Sequence, residues 1–547
     1  MYTVDSSGAQ LILGYDDVFH EEKPDLIERI SNLNMHKAIS IISELIQVRN
    51  AYCDPIIIFG REFSFPLQTV LKKTLCGIFP ETPEAMFSNH LFRKDRHIIS
   101  LQMMLILLKK IIVYGNYHTL NEVDYDIVDD DYKEIIMLQL IVADEINHKH
   151  ENEMDTDHFL YSTYHLNHRR NVANEFTRMF YMMECLSKDK NNFAVDVQNE
   201  YRDYYFAFEQ KYGLTPTEYS SFLFWELNYY YSDKNALSKN CCWRSIQGTY
   251  GNTDKKEQIA RTIGILQKAP EEFRDWATET EAFEWDFSKF MEFPFLCDSM
   301  DGYIAISEVG LINAFFEKIF WLIRDCYPKD DSRAMAFFGR LFEKYIQDAT
   351  QDACNEDYRY IAEFEIAAGK KSSDAYVRKG SDLLVIEAKG FSVLLDCMTK
   401  NEKIEDNNKK LFISPILQAD KALMGTIDDR SVFDGVENVY VISVTMDSIN
   451  AVPNYINTIH QEVGREKKCD KIKYYFNFSI EEYEMILWLL ENGKDVFTEL
   501  KEYFEGVQLQ PFSNVLHDKY PCISMTNFLE RYFKAAADHM KRLLFAE

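Results

Sequence analysis

Glycine and proline are scarce, 20 and 13 in 547 residues. These residues punctuate strands and tight turns, so their scarcity argues against a chain of many short strands and favours long helices. The 11 cysteines form no C-x-x-C pair, and the nearest two are the adjacent Cys241 and Cys242. An odd, scattered set excludes a disulfide framework or zinc-spaced cluster and predicts reduced thiols in a cytoplasmic protein. No apolar run is long enough for a bilayer: residues 98–115 are interrupted by Lys109 and Lys110 and predict a buried helix. The first residues lack a basic start followed by an apolar stretch, so no secretory signal is expected. There is no G-x-x-x-x-G-K-[ST] phosphate loop and no G-x-S-x-G elbow. Positive charge is also short, with 60 Lys and Arg against 88 Asp and Glu, a formal net charge of -28. Tight autonomous binding to a polyanion calls for a basic face, so a protein partner or further copies of the chain are expected to supply grip. A local patch can still act within a Debye length of about 8 Å.

What is present is a large apolar fraction, 46% hydrophobic and 14% aromatic, enough for several cores. From about residue 21 to 333 the pattern is mainly helical, with apolar residues at three-and-four spacing in residues 25–48 and 171–186. Residues 235–257 are polar and read as a loop or linker, a short strand is expected at 303–306, and 327–333 resemble a hinge. Beyond that hinge the order becomes helix, three strands, helix, strand, an α/β unit with a mixed sheet. A strand over "KIKYYFNF" and a helix opened by Ser479 and Glu482 in capping-box spacing follow. The expected organisation is multidomain: a helical N-terminal domain (1–240), a helical connecting subdomain (258–333), an α/β domain (334–473) and a C-terminal strand and helical extension (474–547).

The stretch "SSDAYVRKGSDLLVIEAKG", residues 372–390, reads as a hairpin turning on Gly380 and Ser381. With that turn Lys379 faces Asp382, Tyr376 faces Val385 and Asp374 faces Glu387. Cross-strand partners share a face with Cβ atoms about 4.5–5.5 Å apart. Lys389, two residues past Glu387, shares that face; Asp382, five residues before it, projects from the other. Two carboxylates so close repel unless a cation stands between them, and Mg²⁺ takes one or two carboxylates and completes its shell with water and phosphate. Other Glu-x-Lys triplets begin at Glu21, Glu209, Glu466 and Glu499, but only Glu387 ends an apolar strand with an aspartate across a hairpin.

Asp374 followed by Glu387-x-Lys389 on the next strand resembles the PD-(D/E)xK nuclease superfamily, which has a restriction-endonuclease-like core. The resemblance covers residues 334–445, about a fifth of the chain, and Ser373 stands where that pattern has proline. It implies a glutamate on the preceding helix, met by Glu343, and a glutamine on the following helix, met by Gln418. It further implies Mg²⁺ or Mn²⁺ held by Asp374, Glu387, the backbone carbonyl of Ala388 and Glu343. Lys389 would orient or deprotonate the attacking water, and Gln418 would place that water or a phosphate oxygen. The implied activity is phosphodiester cleavage by an endonuclease, DNA favoured over RNA, in a cytoplasmic chain whose helical region senses a trigger or docks a partner. Chains of this build resemble prokaryotic restriction and anti-phage defence effectors. The alternatives are a non-catalytic scaffold with an inactive nuclease fold, or a repair or recombination nuclease.

Candidate nucleic-acid contacts are Lys370, Lys371, Arg378, Lys379, Lys409 and Lys410. The histidines between 148 and 168 include a Glu145-x-x-His148 spacing, but no second copy exists, so a solvated polar segment is expected.

Overall fold

The computed structural model describes residues 2–5, 8–19, 21–49, 56–58, 61–63, 96–97, 99–122, 126–149, 171–230, 237–367, 369–390, 397, 403–446, 453–506 and 511–544. All expectations for His150 to His168 lie outside them.

The periodic stretch 25–48 is two helices, Leu26–Ser31 and α1 (Met35–Arg49), because Asn34 intervenes and its side chain accepts from the Lys37 amide at 3.0 Å. Asparagine competes for backbone amides better as a cap than it serves mid-helix. With α2 (Leu101–Tyr114) and α3 (Asp129–Lys149), α1 builds a first apolar core. Lys109 is buried within α2 and directs its ammonium at the carbonyls of Thr280, Phe283 and Asp286, at 3.2, 3.4 and 3.2 Å. Burial pulls its pKa down to about 8. No described helix is long and apolar enough to cross a membrane.

Helices α4 (Val172–Phe180) and α5 (Pro216–Tyr230) begin a second core. Between the two cores lies a small sheet of β1 (Arg244–Ser245), β2 (Gln267–Lys268), β3 (Phe295–Cys297) and β4 (Gly302–Ala305), in the order β1-β4-β3-β2. The twofold alternation of a strand serves both sides: Phe295, Tyr303 and Ala305 enter the second core, Leu296 and Ile304 the first.

The C-terminal part is a mixed α/β unit. Helix α6 (Ser332–Ala353) precedes β5 (Arg359–Ala362), β6 (Ala375–Lys379) and β7 (Asp382–Lys389). Helix α7 (Ser414–Met424) leads to β8 (Asn438–Thr445) and β9 (Ile472–Ser479), followed by α8 (Ile480–Glu491) and α9 (Asn527–Leu544). The sheet order is β5-β6-β7-β8-β9, antiparallel up to β7 and parallel after it. Leu384, Ile386, Tyr440 and Ile442 face the second core with α6 and α8, while Leu383, Val385, Val439 and Val441 pack against α7 on the other face.

Three features depart from the sequence reading. The strand expected over "YRYIAEFEIA" stops at Ala362, and Glu365–Ala367 pairs separately with Lys370–Lys371, because the Ser372 hydroxyl takes the Phe364 amide at 3.0 Å. The boundary expected after Lys473 falls inside β9, whose pairing with β8 makes it part of the main sheet. The 327–333 hinge is pinned: Arg202 holds Asp331 through two bonds of 3.0 and 3.1 Å, and Phe320 meets Phe338 across it at 4.6 Å. The Ser479–Glu482 capping box forms as expected, with reciprocal bonds of 3.2 and 3.0 Å.

Candidate active site

The hairpin turns at Gly380, whose φ of 61° is the left-handed value that a glycine-first two-residue turn demands. Its ladder pairs Lys379 with Asp382, Tyr376 with Val385 and Ala375 with Ile386. One step further in the same register Asp374 stands opposite Glu387, just outside β6. Its Oδ2 closes the ladder by accepting from the Ala388 amide at 2.7 Å. Gln347 of α6 donates to the Asp374 carbonyl at 3.1 Å, tying the aspartate to the helix. Asp382 sits at the turn end and accepts from Asn438 at 2.9 Å.

Glu387 is 0% exposed and Asp374 8%. The Lys389 ammonium lies 3.3 Å from Glu387 Oε2. Oε1 of the same carboxylate is buried without a hydrogen-bond partner. The Ser373 hydroxyl lies close enough to ease the Glu387 shift, yet it too lacks a partner at hydrogen-bonding geometry. Burial drives the Asp374 pKa well above the usual range, and the charges of Glu387 and Glu343 push it further. Burial also raises Glu387, with Lys389 offsetting part of the rise. Burial alone would lower Lys389, but Glu387 and Asp374 outweigh it and raise its pKa, so the side chain is held as a cation.

The polar row continues across the sheet. Ser443 of β8 pairs with Glu387 in the parallel ladder, and Asn477 of β9 pairs with Ser443. Their side chains hold the carbonyl of Leu411 at 3.3 and 3.5 Å, fastening the turn that carries the exposed Lys409 and Lys410 over this end of the sheet. Ser443, Asn477 and Gln347 were not singled out in the sequence. The only local signal was for Gln347, one helical turn beyond Glu343; the other two come together only through strand pairing.

The remaining candidates are placed differently. The Glu343 carboxylate accepts from Arg340 at 2.8 Å, so its charge reaches the pair while its oxygen is engaged elsewhere. Gln418 is exposed on α7 and makes no hydrogen bond to Asp374, Glu387 or Lys389. Lys371 is neutralised by Asp196 and Glu363, both at 3.0 Å. The Arg378 guanidinium is spent on the carbonyls of Gly380, Val432 and Asp434. Lys379 lies 4.8 Å over the Tyr358 ring and 3.7 Å from Asp495. Both flank the turn, about 14 Å (Arg378) and about 17 Å (Lys379) along the strand from Glu387 at about 3.4 Å per residue. Of the six basic candidates, Lys370, Lys409 and Lys410 are exposed, and neither Lys370 nor Lys409 has an ion-pair partner among the described residues.

A divalent cation fits this donor set. A buried carboxylate oxygen without a partner costs roughly 1–3 kcal/mol or more, and a hard cation beside Asp374 and Glu387 would satisfy it and relieve their repulsion. Among the described residues no three His, Cys, Asp or Glu side chains converge as a ready-made metal cage. Two carboxylates with water and phosphate completing the shell is the coordination habit of Mg²⁺. Comparison with known protein families, curated proteins and solved structures returns no match to this chain.

Proposed function

We propose that the chain is a metal-dependent nuclease with Asp374, Glu387 and Lys389 at its centre. One observation carries the reading: the buried Glu387 keeps one carboxylate oxygen unpartnered beside Asp374 while Lys389 holds the other. Mg²⁺ or Mn²⁺ would supply charge neutralisation at the phosphate and a more acidic water. Asp374 and Glu387 would hold that ion, with the Ala388 amide fixing the Asp374 rotamer. Lys389, kept protonated by the two carboxylates, offers its positive charge to the phosphate oxygens as negative charge grows and orients the attacking water. That assigns it the stabilising role rather than the role of base. Lys409 and Lys410 stand over the same sheet end, where a polyanion backbone would pass. DNA as the favoured substrate, and a place in prokaryotic restriction or anti-phage defence, belong to the same proposal.

A non-catalytic scaffold is the second reading, favoured by the engagement of Glu343 with Arg340 and by the exposed Gln418, which makes no hydrogen bond to Asp374, Glu387 or Lys389. Supercoiled plasmid, linear duplex, single-stranded DNA and RNA incubated with Mg²⁺, Mn²⁺ or EDTA decide between them. Cleavage that needs metal and disappears in Glu387→Ala and Lys389→Ala supports the nuclease. Absence of Mn²⁺ binding by calorimetry together with no cleavage supports the scaffold.

A further inference from the structure

Against the first core, outside the cores that flank the five-stranded sheet, the polar stretch that reads as a linker contains an ordered thiol. Residues 238–243 run along one stripe of α1, and three contacts one helical turn apart pin them there. The Ser238 amide donates to Glu44 at 2.7 Å, the Cys242 amide to the Ser40 hydroxyl at 2.7 Å, and the Trp243 indole to the His36 carbonyl at 2.9 Å. His36, Ser40 and Glu44 recur every four residues, so they share one helix face. Trp243 leads directly into β1, which pairs with β4 through Arg244–Tyr303 and Ser245–Gly302. That pairing brings the β3–β4 turn, with Asp298, beside the same loop.

Three side chains meet at this junction. Cys241 Sγ lies 3.7 Å from His36 Nδ1, and His36 Nε2 lies 3.7 Å from Asp298 Oδ2. The imidazole is buried, 1% exposed, and the Trp243 ring stacks on it at 4.9 Å and 13°. Asp298 is aimed by its own turn: Oδ1 accepts from the amides of Met300 and Gly302, both at 2.7 Å, leaving Oδ2 toward the imidazole. Cys241 is half-buried and in no disulfide. A zinc site does not explain the cluster, since no group of three ligand-type side chains among the described residues could hold a metal. A nucleophile within reach of a base, with the base oriented by a third group, is the arrangement that covalent catalysis requires, and such contacts are commonly loose before substrate binds.

We propose that Cys241, His36 and Asp298 form a second reactive site, a thiol relay that takes the acyl group of an ester or amide. It is independent of the nuclease reading. The Cys241 sulfur attacks the carbonyl carbon while His36 Nδ1 accepts the thiol proton, and Asp298 faces the imidazolium through Nε2. Collapse of the tetrahedral adduct breaks the bond to the leaving oxygen or nitrogen, which takes the proton from His36, and leaves a thioester on Cys241. Water then attacks the thioester, giving one proton to His36 and from there to the departing sulfur. The balance is ester or amide plus water to acid plus alcohol or amine, with no redox change.

The full chain treated with p-nitrophenyl acetate, acid-quenched and digested, allows acetylation of each cysteine to be followed by mass spectrometry. Cys522, exposed on the surface, serves as the internal reference. Cys241 is expected to acetylate at least about tenfold faster than Cys522, with His36→Gln removing that advantage, since a positioned base contributes about 10²–10⁴-fold. Asp298→Asn is expected to leave an intermediate rate. Cys241 reacting no faster than Cys522 in the unaltered chain overturns the proposal without need of any variant. A fast rate that persists in His36→Gln overturns it as well. Should His36→Gln fail to fold, an unchanged Cys241 rate in Asp298→Asn has the same consequence.

Discussion

Two buried clusters in this protein each hold more carboxylates than cations, yet they are built for opposite ends. At the junction of α4, α6 and α8, Arg178 is fully enclosed and donates twice to Glu484, at 2.8 Å to each oxygen. Tyr345 at 2.6 Å and Asn174 at 2.9 Å complete the Glu484 shell. Glu175 and Glu481 approach the same guanidinium at 3.3 and 3.6 Å. At the strand ends, Glu387 keeps an oxygen without a partner and shares a single lysine with Asp374. The first cluster satisfies its central carboxylate from within the protein, so it ties the helical region to the α/β unit. The second leaves a donor site that protein atoms do not fill. Buried charge alone therefore does not mark a site, nor does any unsatisfied atom, since Nε and Nη2 of Arg178 also lack hydrogen bonds. What sets the second cluster apart is that its central carboxylate is the group left incomplete.

The comparison is broken most strongly by activity. Glu387→Ala and Lys389→Ala should each lower metal-dependent cleavage by about 10³-fold or more, since each removes charge stabilisation from a dry site, whereas Arg178→Met should leave the rate per folded molecule largely unchanged. Plasmid nicking scored against folded protein reads both. Next in size, Arg178→Met should cost about 3–5 kcal/mol in urea unfolding, because it strands Glu484 among buried acids. A loss below about 1 kcal/mol would show that the first cluster is not the tie described.

Mn²⁺ at about a hundredfold excess over its Kd should stabilise the unaltered chain by about 2.7 kcal/mol, and Glu387→Gln should abolish that gain, both measurable as unfolding midpoints. The smallest effect is the sharpest test of the electrostatics. Asp374 and Glu387 have folded pKa values raised above their unfolded ones. In EDTA, their contribution to stability is therefore present at acid pH and lost as pH rises above about 4 and through the folded values. Asp374→Asn should flatten that decline and be more stable than the parent at pH 8 by about 1 kcal/mol. An unfolding midpoint that falls in parallel for both proteins between pH 5 and pH 8 would remove the repulsion argument.

The candidate site was legible where short-range rules act. A glycine-first turn and twofold strand alternation placed Asp374, Glu387 and Lys389 on one face, and the ladder runs in that register. The buried helix at residues 101–114 and the cap at Ser479 follow from similarly local chemistry. The basic candidates were less legible. Arg378 and Lys379 neighbour the site in sequence terms, but a strand carries them to the far end of the hairpin, where carbonyls and Asp495 engage them. Residues 235–257 looked like linker because polar residues pinning a loop to a helix resemble polar residues facing water.

The sequence by itself determined the local geometry of the hairpin, since period, turn chirality and residue type act over a few residues. Only the tertiary structure decided that Ser443 and Asn477 extend the polar row, that Arg340 engages Glu343, and that Cys241 finds His36 and Asp298. The last contact joins positions 205 residues apart in the chain. Such contacts are chosen by how whole helices and sheets bury their apolar faces, and no local periodicity carries that information.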